Sequence, residues 1–161
     1  MDTHKKILKL SDLKRKLSRL RSQGQTIAFT NGCFDILHFG HVSYLERAKK
    51  NRILVVGLNS DQSIRKIKGP HRPIIKEAYR AGLLAALQCV DFVTIFNEET
   101  PRNVINALKP DILIKGADWK GKNVVGADVV KSYGGKVEYV TYIDGCSTTK
   151  IIEKIQHGSH H

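Results

Sequence analysis

Two histidines three residues apart, His38 and His41, stand in the stretch Thr30-Asn-Gly-Cys-Phe-Asp-Ile-Leu-His-Phe-Gly-His41. Three residues is close to one helical turn, so both imidazoles can face a single phosphate group. Paired rings there can donate hydrogen bonds to oxygens that gain charge in a transition state. The stretch follows a short apolar run and opens a helical pattern, which supplies free backbone N–H groups and the positive end of a helix. Gly32 permits an unusual backbone angle, and Gly40 lets a phosphate come close to the chain. Taken singly, each histidine is more often a surface or packed residue, so the pair needs support from elsewhere in the chain.

Three other segments carry polar chemistry. Asp144-Gly-Cys-Ser-Thr-Thr-Lys150 places three consecutive hydroxyls, Ser147, Thr148 and Thr149, at a helix start. One hydroxyl is enough for an N-cap, which leaves two able to bind phosphate oxygens. The stretch Lys66-Ile-Lys68-Gly-Pro-His-Arg72-Pro73, with Arg80 beyond it, suits a mobile clamp on polyphosphate, although such a loop is often only solvated. Lys115-Gly-Ala-Asp-Trp119 follows a strand pattern. There Asp118 could accept hydrogen bonds from a ribose or sugar hydroxyl, while Trp119, the one tryptophan, could be no more than a core plug.

These segments need a scaffold that brings them together. Ser11 can cap a helix running to about Ser22, with Leu10, Leu13, Leu17 and Leu20 at helical spacing and Gly24 as its stop. Strands are expected at residues 26–30, 52–58, 92–96, 112–115 and 136–142. Helices are expected at residues 40–50, from 60, at 76–88, from Thr100-Pro101, at 123–133 and from about 147. The second strand is apolar on both faces, as a parallel sheet requires. About five strand–helix alternations with short connections predict an α/β fold, a doubly wound Rossmann-like parallel sheet with helices on both faces. Ligands of such sheets bind beyond the carboxyl ends of the strands, where strand order reverses. The loop after the first strand, the loop after the fourth and the start of the last helix meet there. The reading requires His38, His41 and the hydroxyls of residues 147–149 to face one hollow.

Length and composition set the outer bounds. A chain of 161 residues, 41% hydrophobic and 26% charged, is expected to form one domain over residues 1–156. The tail His157-Gly-Ser-His-His161 reads as an expression-tag remnant. No apolar run approaches the ~20 residues of a membrane span, and no signal-peptide core is visible. Cys33, Cys89 and Cys146 are odd in number and lack C-x-x-C spacing, which fits neither a disulfide framework nor a zinc site. A cytoplasmic location follows as the expectation. Half of the net charge of +12 lies in residues 1–21. That basic helix (residues 1–24) could attract nucleic acid, but no interleaved aromatics offer base stacking and a solvated helix face accounts for the charge.

Together, H-F-G-H and the S-T-T at the last helix resemble the nucleotidyltransferase superfamily that carries an H-x-G-H motif and an I-S-S-T-like motif. Within it, T-N-G-C-F-D-I-L-H-x-G-H, N-S-D-Q-S-I-R-K-I-K-G-P-H-R-P-I, K-G-A-D-W and D-G-C-S-T-T-K-I-I are similar to the D-glycero-D-manno-heptose 1-phosphate adenylyltransferases. The similarity runs from about residue 10 to 155. The chain departs from the pattern in the turn Lys49-Lys50-Asn51-Arg52, at Cys146, and at Glu77, which is displaced by one residue relative to Arg80. The resemblance implies transfer of AMP from ATP to a heptose 1-phosphate, giving ADP-heptose and pyrophosphate, as in precursor synthesis for lipopolysaccharide or another surface glycan. Many relatives carry a fused sugar kinase, and this sequence, lacking one, is expected to be monofunctional.

The resemblance also implies roles. His38, His41, Lys68 and Arg80 would be catalytic, acting on the triphosphate and the leaving pyrophosphate. Asn31, Gly32, Cys33, Phe34, Gly40, Gly116, Asp118, Trp119, Ser147, Thr148 and Thr149 would bind the nucleotide, and Asp35, Lys66 and Arg72 the sugar phosphate. Mg²⁺ would arrive with ATP, because no dedicated carboxylate cage is visible, and a homodimer is expected. A sugar phosphate is already an anionic nucleophile, so no general base is needed, in keeping with the absence of a Ser-His-Asp arrangement. A glycerol-3-phosphate cytidylyltransferase shares a D-W followed by G-K, as in Asp118-Trp-Lys-Gly-Lys122. Outside enzymes of this kind, a basic nucleic-acid-binding protein and an inactive nucleotide-binding regulator are the alternatives.

Overall fold

Five short strands with side chains packed on both faces determine the architecture. In a computed structural model describing residues 2–143 and 145–158, they are β1 (Ile27–Gly32), β2 (Ile53–Asn59), β3 (Phe92–Phe96), β4 (Ile112–Gly116) and β5 (Lys136–Val140). All neighbours pair in parallel, in the order β3-β2-β1-β4-β5. The chain builds outward from β1 through β2 to β3, then crosses back to place β4 against the other side of β1. Strand order therefore reverses between β1 and β4, and a crevice opens at their carboxyl ends.

Period-two alternation assigns each strand residue to one of two cores. Ile27, Phe29, Val55 and Leu113 pack under α1 (Leu10–Ser22), α5 (Arg102–Leu108) and α6 (Ala127–Ser132). Ala28, Leu54, Val56, Ile112 and Ile114 pack under α2 (Phe39–Lys49) and α4 (Glu77–Ala86). In α1, Leu13 and Leu17 are fully buried while Lys14, Arg15, Lys16 and Arg19 face solvent. Burial of each leucine stabilises the fold by roughly 1.5–3 kcal/mol. Two other basic residues near the N-terminus bind carbonyls at and beyond helix ends. Lys6 Nζ donates to the carbonyls of Leu87 and Val90, and Arg21 donates to those of Leu108 and Lys109 at the end of α5.

The remaining helices flank the crevice. Ser60 caps α3 (Asp61–Lys68) by accepting from the Ser63 N–H, and Ser147 caps α7 (Thr148–His157) by accepting from that of Lys150. The short turn between α2 and β2 is tied to β5, where Lys50 and Arg52 both reach Glu138, at 3.1 and 2.9 Å. Partial burial alone would raise the Glu138 carboxyl, yet these cations and Lys136 hold it down at about 2.

Several local expectations are corrected. Lys9, not Ser11, occupies the N-cap of α1. Thr100 makes no cap, and Pro101 itself stands at the N-cap of α5. The segment 123–133 is helical only over Ala127–Ser132. Lys66 and Lys68 belong to α3, so the basic loop starts at Gly69. Asp144 and residues 159–161 of the tail lie outside the described residues.

Candidate active site

The loop after β1 makes its turn with Phe34 in a left-handed conformation, φ 43°. Such a backbone is strained for a bulky residue and persists only when its surroundings fix it. Phe34 is nearly fully buried, its ring 5.1 Å from that of His41. The loop thus braces the imidazole from behind.

His38 is the N-cap of α2 and gives no side-chain cap, so its ring is left for other contacts. The His38 and His41 rings stack, centroids 3.8 Å apart and 23° from coplanar. Burial lowers the pKa of both. For His41, burial, the neighbouring His38 and then Lys68 bring it down to about 4. Both rings are therefore neutral near pH 7, each with one N–H donor. The Nδ1 atoms of both are buried without a hydrogen-bond partner among the described residues.

A cavity of about 460 Å³ opens in front of the pair. On its far side stand Ser147, Thr148 and Thr149 at the start of α7, so imidazoles and hydroxyls face one hollow. Ser147 Oγ is occupied as the cap, and Thr148 Oγ1 lies 3.5 Å from the Ile36 carbonyl, at the limit of a hydrogen bond. Gly40 makes the approach of α7 possible. A Cβ there would come within 2.8 Å of Cys146 Cβ and 3.0 Å of the His38 ring. Its small size admits the neighbouring chain segment, and Gly40 itself does not line the hollow. Asn31, Gly32 and Cys33 form the floor, and Lys68 reaches the rim from the last turn of α3.

A second cavity of about 340 Å³ adjoins the first and shares Asn31, Gly32, Cys33, Tyr44 and Tyr142 with it. It is walled by the carboxyl ends of β2 and β4 and by residues after β3 and β4, including Asn59, Glu99, Thr100, Lys115 and Trp119. The expected nucleoside pair is split between the two: Asp118 lines the larger hollow and Trp119 the smaller. Gly116 is required here, since a Cβ would lie 2.0 Å from the Tyr142 ring. Tyr142 stacks on Tyr44, centroids 5.0 Å apart, and the Tyr44 hydroxyl is hydrogen-bonded to Thr30 at 2.8 Å.

Three expected ligands are engaged within the protein, and a fourth, Lys66, stands apart from both hollows. Arg80 is fully buried behind the site. Its guanidinium donates to the carbonyls of Ile75, Cys33 and Asn59 and pairs with Asp61 at 2.7 Å, so it frames the floor and lines neither hollow. Glu77, the displaced glutamate, accepts from the Asp61 N–H at 2.7 Å and does not pair with Arg80. Asp35 is 2% exposed and accepts from the N–H groups of Ile74 and Ile75. Arg72 Nε sits 2.7 Å from Asp35 Oδ2 as an ion pair without hydrogen-bond alignment. That arrangement pins the 69–76 loop, and of the two residues only Asp35 lines the larger hollow. Lys66 is exposed on α3 and lines neither hollow.

Tyr44, Tyr142 and Asn59 were not singled out by the sequence, and nothing in their spacing distinguishes them. Lys115 opens the Lys115-Gly-Ala-Asp-Trp119 motif at the carboxyl end of a buried strand, which is the signal that could have found it.

Comparison with known proteins follows the same lines. Residues 29–154 match the family profile described as cytidylyltransferase-like. The chain is 54% identical over 159 residues to the bifunctional protein HldE of Geotalea uraniireducens, covering 98% of the chain and 32% of that protein. It is also 57% identical over 136 residues to the protein of the same name from Syntrophotalea carbinolica, covering 84% and 28%. The chain thus spans about a third of the length of these curated relatives. Among solved structures, a lipopolysaccharide core biosynthesis protein from Thermoplasma volcanium matches with TM-score 0.60 and 31% identity, covering 73% of this chain and 96% of that one. A pantoate-β-alanine ligase from Francisella tularensis, at 16% identity and TM-score 0.54 over 92% of this chain and 77% of its own, shares the fold.

Proposed function

The chain belongs to the cytidylyltransferase-like family of nucleotidyltransferases, and from that premise we propose that it transfers AMP from ATP to D-glycero-D-manno-heptose 1-phosphate, releasing pyrophosphate. The observation that carries the reading is the convergence of two neutral, stacked imidazoles and the hydroxyl-bearing start of α7 on one hollow. An oxygen of the sugar phosphate attacks the α-phosphorus of ATP, the bond to the β-phosphate oxygen breaks, and pyrophosphate leaves from the opposite side. No proton need move.

What the protein supplies is position and charge stabilisation. The N–H groups of His38 and His41 meet the α- and β-phosphate oxygens. Lys68 meets the outer phosphates, and the first N–H groups of α7 with Thr148 and Thr149 hold the remaining oxygens. Neutral rings suit this role, because they donate without trapping the product pyrophosphate as a fixed cation pair would. Asp118 faces the nucleoside end.

The donor set fits a metal brought by the nucleotide. Of the two carboxylates lining the larger hollow, Asp35 is engaged and Asp118 stands alone, and no cluster of three acidic, His or Cys ligands exists among the described residues. Mg²⁺ carried with ATP would neutralise the outer phosphates, as it commonly does when held by substrate oxygens. No helix among the described residues is long and apolar enough to cross a membrane. A cytoplasmic homodimer supplying heptose precursors for lipopolysaccharide or another surface glycan belongs to the same proposal.

Pyrophosphate release tests it. ATP and CTP are each offered with heptose 1-phosphate and with glycerol 3-phosphate. Turnover with ATP and the heptose phosphate alone is the expected result. Turnover only with CTP and glycerol phosphate assigns the neighbouring activity instead, and none with any pair overturns the reading.

A further inference from the structure

Each hollow is lined by a single lysine and no arginine: Lys68 in the larger, Lys115 in the smaller. Lys68 projects from the end of a helix at an open rim. Lys115 is different. It lies on β4 beside the point of strand reversal, largely out of water, and its ammonium donates to Asn31 Oδ1 at 2.5 Å. Trp119 lies beneath it, 5.8 Å from the ammonium to the ring centroid.

A buried ammonium ordinarily has a carboxylate close by, because its desolvation is otherwise uncompensated. Lys115 makes no salt bridge among the described residues, and desolvation is what lowers its pKa, to about 8. One amide oxygen and an indole face are weak compensation. The missing counter-charge is an anion, and the ammonium is directed by its Asn31 bond to the junction of the two hollows, since Asn31 lines both.

We infer that Lys115 binds the phosphate of the acceptor, and that the smaller hollow is the acceptor's sugar site. The inference rests on the nucleotidyl-transfer reading and adds to it which hollow takes which substrate. A phosphate at the Lys115–Asn31 junction sits at the border of the hollow that holds the imidazoles, as in-line attack on the α-phosphorus requires. The remaining walls suit a polyhydroxylated ring: an indole face in Trp119, a carboxylate in Glu99 and a hydroxyl in Thr100. Trp119, expected at the nucleoside, is thereby assigned to the sugar. The acceptor class is a phosphomonoester of a sugar, bound as its dianion.

Lys115→Met and Lys115→Arg test this. Binding of heptose 1-phosphate and of inorganic phosphate is measured calorimetrically with α,β-methylene-ATP filling the nucleotide site. We expect Lys115→Met to weaken heptose 1-phosphate at least 10-fold, Lys115→Arg to restore part of the loss, and affinity for the ATP analogue to stay within about 2-fold. In turnover, kcat/KM for the acceptor falls above about pH 8 in the parent protein as the ammonium deprotonates. That limb vanishes in Lys115→Met. The Tm of Lys115→Met should equal or exceed that of the parent, because an uncompensated buried charge is removed. A structural lysine would lower it.

Unchanged acceptor affinity in Lys115→Met, or a loss shared equally by the ATP analogue, overturns the assignment. Failure of the underlying reading looks different: acceptor and analogue bind normally to the parent protein, yet no pyrophosphate appears.

Discussion

The stacked, partly buried imidazoles at the start of α2 and the buried guanidinium of Arg80 are both nitrogen-rich and opposite in how their polar atoms are satisfied. Arg80 donates to three backbone carbonyls and a carboxylate. His38 and His41 each leave a buried Nδ1 without a partner among the described residues and face a cavity. The comparison separates frame from site: a satisfied buried group holds the fold, and an unsatisfied one beside a hollow awaits a ligand. Basic character alone, which groups all three residues in the sequence, does not make that distinction.

The contrast breaks most visibly at Arg80. Replacing it with Ala leaves three carbonyls and the partly exposed Asp61 without their partner, and should cost about 3 kcal/mol of unfolding free energy, the lower end for breaking an ion pair with a buried member. Urea denaturation measures this. A loss below about 1 kcal/mol, with activity abolished, would move Arg80 from the frame into the site.

His41→Ala should do the reverse. Turnover falls about 10²–10³-fold, the loss typical of one transition-state donor, while the urea midpoint and the KM for ATP change little. Near-normal turnover would remove the imidazole pair from catalysis.

Acid sharpens the contrast further. The folded-state pKa of His41 is about 4, below its ordinary value of 6.5, so the unfolded chain binds more protons between these values. The stability owed to a neutral His41 is complete above pH 6.5 and declines as pH falls towards 4. Denaturation profiles should show this slope in the parent protein and a shallower one in His41→Ala. Bound ATP should oppose the decline, because its phosphates favour the imidazolium. Equal slopes in both proteins would contradict the buried, neutral ring.

The smallest effect belongs to Ser147, which lies in the site yet acts as frame. Ser147→Ala removes the α7 cap and should cost about 1 kcal/mol in stability. Thr149, with no cap to make, should when changed to Ala raise KM for ATP without lowering Tm. The same behaviour from both variants would erase the distinction within one hydroxyl run.

Much of this was legible in the residues. Short apolar runs gave strands within one or two residues of their observed bounds, because two-sided burial is written locally in each strand. His38, His41, Lys68, Asp118 and residues 147–149 were identified by type and spacing next to predicted element ends, and they line one hollow. Helix starts fared less well. Ser11 and Thr100 have the chemistry of caps, but the helices begin after Lys9 and Pro101, neither of which makes a side-chain cap.

What the chain determines by itself is therefore the alternation of elements, the motifs at their ends and the residue types available for phosphate chemistry, since these depend on neighbours in sequence. Only the tertiary structure decided which charges are free. Asp35 with Arg72 and Arg80 with Asp61 are separated by 37 and 19 positions, and no local pattern foretells that such partners meet. The same long-range assembly left Lys115 with an amide for its partner among the described residues, since the sheet order that brings β4 beside β1 set Asn31 against its ammonium.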